Sequence, residues 1–172
     1  MNFLEQLAAE WYEYKGYFVR TNIKFGPLRG GGYAGEMDVV GYKPEAQELI
    51  HIETSADSYS WARRKRNFER KFTDARKYYM EIFPFKQMSM KPRQIALVGL
   101  NLNPCPEVNS WKSSAPSGSP WEGIGIEVLH IPEFLRQINS ELRNKNPRND
   151  VIPETYPLLR AIQHSAFYDR NR

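Results

Sequence analysis

Two acidic side chains lie where short apolar strands would bring them together. Asp38 is in the segment Gly-Glu-Met-Asp-Val-Val (35–40), and Glu53 is in Glu-Leu-Ile-His-Ile-Glu-Thr-Ser (48–55). Aspartate is disfavoured within strands, so Asp38 in a predicted strand favours a functional role over a purely structural one. Two strands joined by the short turn at 43–47 would place both carboxylates at one edge of a sheet.

The chemistry of such a pair follows from its charge. Neighbouring carboxylates repel each other unless a cation neutralises them. Mg²⁺ prefers an oxygen-rich, partly hydrated site of this kind, and Mn²⁺ accepts the same ligands. A bound ion would polarise a phosphoryl oxygen and activate water. Asp38 and Glu53 therefore predict a metal-dependent site for phosphodiester hydrolysis, as in a nuclease.

The charge distribution favours a polyanionic substrate. Residues 61–93 carry eleven Lys or Arg and three acids, a net charge of +8, whereas the whole chain carries +4 and the remainder therefore −4. A basic segment beside an acidic cluster suits a nucleic acid whose phosphate is delivered to a metal. An ordinary solvated helix face explains the same charges equally well.

Composition excludes several other classes of protein. Hydrophobic residues make up 41% of 172 residues, which is incompatible with global disorder. No apolar run reaches 18 residues, and the N-terminus has no basic segment followed by a long apolar stretch, so neither a membrane span nor a signal peptide is expected. Cys105 is the single cysteine, which excludes an internal disulfide and a thiolate zinc site. These features favour a cytoplasmic protein.

Hydrophobic periodicity gives the order of the elements that would hold the carboxylates. It predicts helices over 2–15, about 60–82, from 132 to 142 and over 154–167, and strands over 17–25, 36–42, 48–54, 93–100 and 125–131. The glycine-rich segment 26–35 is predicted to be a flexible loop, and 101–123 an irregular insertion. The chain is thus expected to be one α/β domain over 1–172, with its core at about 2–143 and a helical tail at 150–172.

The alternation within the third strand predicts which side chains share a face. Ile50, Ile52 and Thr54 fall on one side, and His51, Glu53 and Ser55 fall on the other. His51 is therefore expected near Glu53. A partly buried, hydrogen-bonded histidine is a better interpretation than a general base.

These elements and residues resemble the PD-(D/E)XK nuclease superfamily, the restriction-endonuclease-like fold. Over residues 2–100 the chain looks most like archaeal Holliday junction resolvases and Mrr-type endonucleases. The resemblance implies an αβββαβ core with a mixed sheet flanked by helices. It also implies that Asp38 and Glu53 ligate the metal, with Glu5 of the first helix assisting through water. Glu10, on the same helix, is an alternative to Glu5.

One position departs from the family pattern. The family lysine is expected two residues after Glu53, where this chain has Ser55. Three explanations remain open. A basic residue of the following helix reaches back, with Lys65, Arg63 and Arg64 the nearest candidates; or the metal and carboxylates suffice; or the site is decayed and the domain only binds.

The leading prediction is a Mg²⁺-dependent DNA endonuclease, and the alternative is a nuclease-fold module that binds nucleic acid without cutting it. In either case, basic residues of the helix after Glu53 are predicted to contact DNA phosphates; they are Arg63, Arg64, Arg66, Arg70 and Lys77. Two cuts in a duplex require two sites, so a homodimer is a compatible assembly, although the sequence contains no identifiable interface.

Overall fold

Six strands form one mixed sheet in the computed structural model, which describes residues 2–57, 59–83, 92–99, 110–112 and 125–170. The strands are β1 (Phe18–Pro27), β2 (Tyr33–Lys43), β3 (Glu48–Ser55), β4 (Arg93–Val98), β5 (Ser110–Lys112) and β6 (Gly125–His130). The helices are α1 (Phe3–Tyr14), α2 (Trp61–Ala75), α3 (Tyr79–Ile82), α4 (Ile131–Leu142) and α5 (Pro157–Arg170), and a 3-10 turn (Arg76–Tyr78) joins α2 to α3. The predicted α/β class and mixed sheet are confirmed.

The strand order places the carboxyl ends of three strands at one edge. The order across the sheet is β1-β2-β3-β4-β6-β5. Strands β1 to β3 form an antiparallel meander, whereas β3, β4 and β6 are mutually parallel. The parallel pair β3–β4 requires a crossover, which α2 and α3 supply. Helix α2 therefore begins shortly after the carboxyl end of β3.

Helices cover both faces of the sheet. On one face, α1, α4 and α5 enclose a core that includes Leu7, Ile52 and Phe134. On the other face, α2 and α3 pack over Met37, Val40 and neighbouring side chains in two smaller clusters. Burial of these apolar surfaces is the main favourable contribution to folding. None of the described helices is long and apolar enough to cross a bilayer.

Two predicted loops contain regular structure. The segment 26–35 was expected to be a flexible loop, but β1 extends to Pro27 and β2 begins at Tyr33, so only 28–32 form the turn. The ring of Phe25 covers Gly35 on the paired strand, and this packing compensates for the missing side chain. Within the predicted insertion, Ser110–Lys112 pair with β6 as an edge strand. Residues 101–109 and 113–123 lie outside the described part.

The backbone is irregular at the level of Asp38. In the β1–β2 register Asn22 faces Asp38, yet these two residues form no bridge within a ladder that is described throughout. Asn22 has φ of 52°, in the left-handed region that asparagine tolerates better than most residues. The β2–β3 ladder also ends beside this point, at Val39↔Ile52. Asp38 thus lies where β2 leaves β3 and continues with β1 alone.

The conformation of Asn22 leads to a prediction about stability. We expect Asn22→Val to lower the free energy of unfolding by about 1–2 kcal/mol, because a β-branched residue is strained in the left-handed region. Asn22→Gly should leave stability unchanged or raise it, because glycine adopts this conformation freely. Urea unfolding of the two variants tests this. Equal stability of both would contradict the assigned backbone strain.

Candidate active site

Two carboxylates and one ammonium group converge at the carboxyl edge of β3. Lys71, on α2, places its Nζ atom 3.1 Å from Asp38 Oδ1 and in direct contact with Glu53 Oε2. The other oxygen of Asp38, Oδ2, accepts hydrogen bonds from the Thr54 amide at 2.8 Å and the Thr54 hydroxyl at 3.2 Å. Asp38, Glu53 and Lys71, here called the carboxylate–lysine cluster, are thereby held in one arrangement. The predicted convergence of the two carboxylates is found.

A buried chain of hydrogen bonds fixes Glu53 from behind. His51 Nε2 lies 2.7 Å from Glu53 Oε1, and His51 Nδ1 lies 2.6 Å from the Tyr79 hydroxyl. Gln94 donates its Nε2–H to the same hydroxyl at 3.2 Å. All four side chains are fully shielded from solvent. The predicted hydrogen-bonded histidine near Glu53 is confirmed, and it is fully rather than partly buried.

The hydrogen-bond donors and acceptors around Tyr79 indicate where the protons of Tyr79 and His51 lie. Because Tyr79 accepts from Gln94, its single hydroxyl proton is best directed at Nδ1 of His51. His51 then carries its proton on Nε2 and donates it to Glu53, which is the tautomer that a carboxylate acceptor requires. Burial raises the pKa of Tyr79, so the phenol keeps its proton at neutral pH. The chain therefore holds one oxygen of Glu53 and leaves Oε2 directed at Lys71.

The cluster shifts the pKa values of its members in different directions. Burial, and then the Glu53 charge, raise the pKa of Asp38, although Lys71 and the Thr54 amide oppose the shift. Burial alone would raise the pKa of Glu53, but His51 and Lys71 outweigh it and lower the value. Burial works against the Lys71 charge, yet Glu53 and Asp38 together raise its pKa. At neutral pH Lys71 is therefore a cation and Glu53 an anion.

Glu5 lies next to the cluster but is held by its own helix. Asn2 caps α1 and exchanges hydrogen bonds with Glu5 in a capping box, in which the Asn2 backbone N–H donates to Glu5 Oε2 at 2.9 Å. The side-chain Nδ2 atom of Asn2 also lies 3.5 Å from the Thr54 hydroxyl oxygen, and that hydroxyl donates to Asp38. Asn2 thus connects Glu5 to the cluster.

Glu10 serves a different part of the fold. Its Oε2 atom accepts hydrogen bonds from the backbone amides of Leu158 and Leu159, at 2.9 and 3.0 Å, in the first turn of α5. These amides have no partner within their own helix, and a carboxylate at this end also favours the helix dipole. The structure therefore places Glu10 at the α1–α5 contact and Glu5 on the side of the cluster.

This difference between the two glutamates can be measured. Glu10→Ala should lower the free energy of unfolding by about 1 kcal/mol, because it uncaps α5, and should leave divalent-metal affinity unchanged. Glu5→Ala removes the capping-box partner at the start of α1. It is therefore the matched control for the loss of stability that follows when a glutamate no longer caps a helix. Calorimetric metal titration and urea unfolding on both variants provide the two readouts. Weaker metal binding by Glu10→Ala would contradict this placement.

The hydroxyl of Ser55 is bonded to a residue outside the carboxylate–lysine cluster. This hydroxyl donates to Asp57, whose carboxylate also accepts from Arg64 Nε at 3.0 Å. Arg64 is only 3% exposed and contacts the Asp57 backbone carbonyl as well. These residues line a cleft of about 220 Å³ that also borders Lys71 and Asn67. Arg64 is thus engaged in an internal ion pair.

The remaining basic candidates lie on other sides of α2. At 100° per residue, Lys65 is about 120° around the helix from Lys71, so it does not reach the cluster. Arg63, Arg66 and Arg70 lie about 80–140° away from Lys71 and are exposed, as is Lys77 in the 3-10 turn. Arg63 packs its guanidinium 3.6 Å from the centre of the Tyr59 ring. These four cations form an outward basic face of α2 and its continuation.

Sequence reasoning missed Lys71, Thr54, Tyr79 and Gln94. A signal for Lys71 was present: it directly precedes Phe72 in the apolar stripe of α2, at about 60° from Phe68, so its stem runs along the buried margin. A lysine at such a margin needs an anionic partner, and the carboxylates of the preceding strands are the nearest available. Nothing comparable in the sequence indicated the hydroxyl of Tyr79.

The donor set of the cluster fits a small divalent cation. Two carboxylates from different strands contact the same ammonium group. Asp38 Oδ1 and Glu53 Oε2 therefore already converge on one point. Mg²⁺ is commonly bound by one or two carboxylates, with water completing its shell. In the described residues, no three or more His, Cys, Asp or Glu side chains converge as a metal cage. Any ion here would therefore be held by Asp38 and Glu53, with Lys71 moving aside.

The comparisons with known proteins give no family. Neither the scan against protein-family models nor the searches of curated proteins and solved structures finds a match for this chain.

Proposed function

We propose that this protein is a metal-dependent DNA endonuclease with a restriction-endonuclease-like core. The observation that carries the proposal is the contact of Lys71 with both Asp38 and Glu53. Ser55 occupies the position of the expected lysine, and a lysine of α2 supplies an ammonium group at the carboxylates instead. Of the three explanations for Ser55, this contact favours a basic residue that reaches back from the helix.

Each member of the cluster has a distinct role in this proposal. Asp38 and Glu53 would hold Mg²⁺ or Mn²⁺, which supplies Lewis-acid activation of the phosphate and of water. Lys71 keeps its proton, because its pKa is raised, so after it moves aside for the ion it still acts as a positive charge rather than as a base. Such a charge stabilises negative charge that develops on a phosphoryl oxygen. His51 and Tyr79 orient Glu53 and need not touch the substrate.

The second candidate function is binding without cleavage. Lys71 neutralises part of the carboxylate charge, and a cation must displace it to enter. Among the described residues, no third carboxylate joins Asp38 and Glu53 to form a metal-binding group. A domain that kept this arrangement for stability alone would bind DNA through its basic face and would not cut it.

Cleavage and binding assays on Asp38→Asn separate the two functions. Asparagine keeps the shape of the side chain and can still accept from the Thr54 amide, but it removes the charge. The endonuclease proposal predicts metal-dependent cutting by the wild type and loss of cutting with retained DNA binding in the variant. A wild type that binds DNA and cuts neither linear nor branched substrates, with Mg²⁺ or Mn²⁺, would support the binding module instead.

A further inference from the structure

Strands β1 and β2 continue past the active-site edge as a two-stranded ribbon. The β2–β3 ladder ends at Val39↔Ile52, whereas the β1–β2 ladder runs on to Pro27↔Tyr33. Tyr33 lies five positions before Asp38, which corresponds to about 17 Å along a strand. The ribbon tip, residues 27–34, therefore lies beyond the carboxylates, on the side from which a substrate phosphate would reach them.

The base of the ribbon is packed against its neighbours, and its tip is exposed. Phe25 is 5% exposed; its ring covers Gly35 and lies 4.8 Å from the Tyr78 ring, centre to centre. Every residue from 27 to 34 is exposed, including Leu28 at 53% and Tyr33 at 52%. Large apolar side chains exposed together at a tip mark a contact surface rather than a core. An anchored base holds this surface in a defined direction.

The charge of the tip suits a polyanion. Arg29 lies in the tip, and Lys24 lies just before it with its Nζ atom 5.8 Å from the Tyr33 ring centre. Glu36 is the only acid of residues 24–36. The outward basic face of α2 points away from the carboxylates, so it cannot by itself seat a phosphate there. Lys24 and Arg29 instead lie on the side of the cluster from which a phosphate would approach the carboxylates. Leu28 and Tyr33 add apolar surface beside them.

We propose that the ribbon tip is a DNA-contacting arm that enters a groove of a B-form duplex next to the phosphate held at the carboxylate–lysine cluster. The inference rests on the proposed function, because it places the substrate by the cluster. The major groove of B-DNA admits a two-stranded ribbon. The major groove of A-form RNA is too narrow and deep for side chains to read. The arm therefore selects duplex DNA over duplex RNA.

The double variant Leu28→Ser/Arg29→Gln tests the arm in the full-length protein. Its matched control is Val151→Ser/Arg148→Gln, which likewise replaces an exposed aliphatic residue with serine and an exposed arginine with glutamine, on the α4–α5 side of the sheet. Fluorescence anisotropy would measure binding to a DNA duplex, an RNA duplex of the same sequence and single-stranded DNA, in Ca²⁺ to suppress cutting. We expect at least a tenfold loss of duplex-DNA affinity in the arm variant, a salt dependence weaker by about one unit, and no loss in the control.

The outcomes distinguish the arm from the function on which it rests. A tenfold loss confined to duplex DNA supports the arm. Duplex-DNA affinity within twofold of the wild type, or equal losses on duplex RNA and single strands, would overturn it while leaving cleavage in place. A wild type that neither binds nor cuts DNA would instead remove the proposed function. Thermal unfolding of both variants checks that the fold is intact.

Discussion

Lys71→Met is expected to lower metal-dependent DNA cleavage by about 10²–10³-fold, the effect of removing one charge-stabilising group from an active site. Methionine keeps an unbranched side chain as far as Cε but carries no charge, so the loss reports on the ammonium group. Steady-state cleavage of a labelled duplex provides the measurement. Lys65→Met is the matched control, because it makes the same change on the same helix about 120° away.

The two lysine variants also compare the lysine found at the carboxylates with Lys65, a candidate predicted from the sequence. The structure predicts a large loss in Lys71→Met and near-wild-type cleavage in Lys65→Met. The reverse pattern would mean that α2 turns when substrate binds and that the observed contact belongs to a resting state. Equal activity of both variants and the wild type would show that the carboxylates and metal suffice.

Lys71→Met should also destabilise the protein in a pH-dependent way. Removing the cation leaves two buried carboxylates facing each other, which we expect to cost about 1–3 kcal/mol at neutral pH after allowance for the partial exposure of Lys71. Because the folded pKa of Glu53 is lowered, its contribution is present above the ordinary carboxylate value and is lost as the pH falls through the folded value. The difference between wild type and variant should therefore shrink on acidification. A difference that stays constant until the protein unfolds in acid would contradict the assigned coupling.

His51→Ala is expected to lower the free energy of unfolding by about 3–5 kcal/mol. The change opens a cavity and removes hydrogen-bond partners from two fully buried groups, Glu53 and Tyr79, each of which carries its own desolvation penalty. Urea unfolding measures the effect. His164→Ala on the exposed face of α5 is the control, and it should change stability by no more than about 0.5 kcal/mol.

The same histidine should influence metal binding through Glu53. Hydrogen-bond partners behind a metal ligand typically contribute 10–100-fold to affinity, and His51 is that partner here. Tyr79→Phe is the milder test, because it removes only the hydroxyl that holds the histidine tautomer. We expect weaker metal binding in this variant even where it remains folded at the assay temperature. Unchanged affinity would limit the buried chain to a structural role.

The sequence was sufficient for the parts of this fold that depend on local pattern. Alternation in 48–55 correctly placed His51 and Glu53 on one face, because side-chain direction in a strand has a fixed period of two. The short turn at 43–47 correctly implied the β2–β3 hairpin and hence the meeting of Asp38 with Glu53. Both results follow from adjacent segments of chain.

Features that depend on packing between distant segments were beyond the sequence. The contact made by Lys71 depends on the rotation of α2 relative to β2 and β3, and five other basic residues of α2 carry the same charge. Glu10 could not be assigned to α5, because its partner amides lie about 150 residues away in the chain. The extension of β1 and β2 through glycine-rich sequence required Phe25 to cover Gly35, a cross-strand contact that composition does not reveal.

The most direct test of the central claim is calorimetric titration of Mg²⁺ and Mn²⁺ into the wild type, Asp38→Asn and Glu53→Gln, with and without duplex DNA in the cell. The account predicts a binding event in the wild type, tightened by DNA and abolished by either substitution. Absence of metal binding by the wild type even with DNA present, or binding that survives both substitutions, would contradict a metal centre at Asp38 and Glu53.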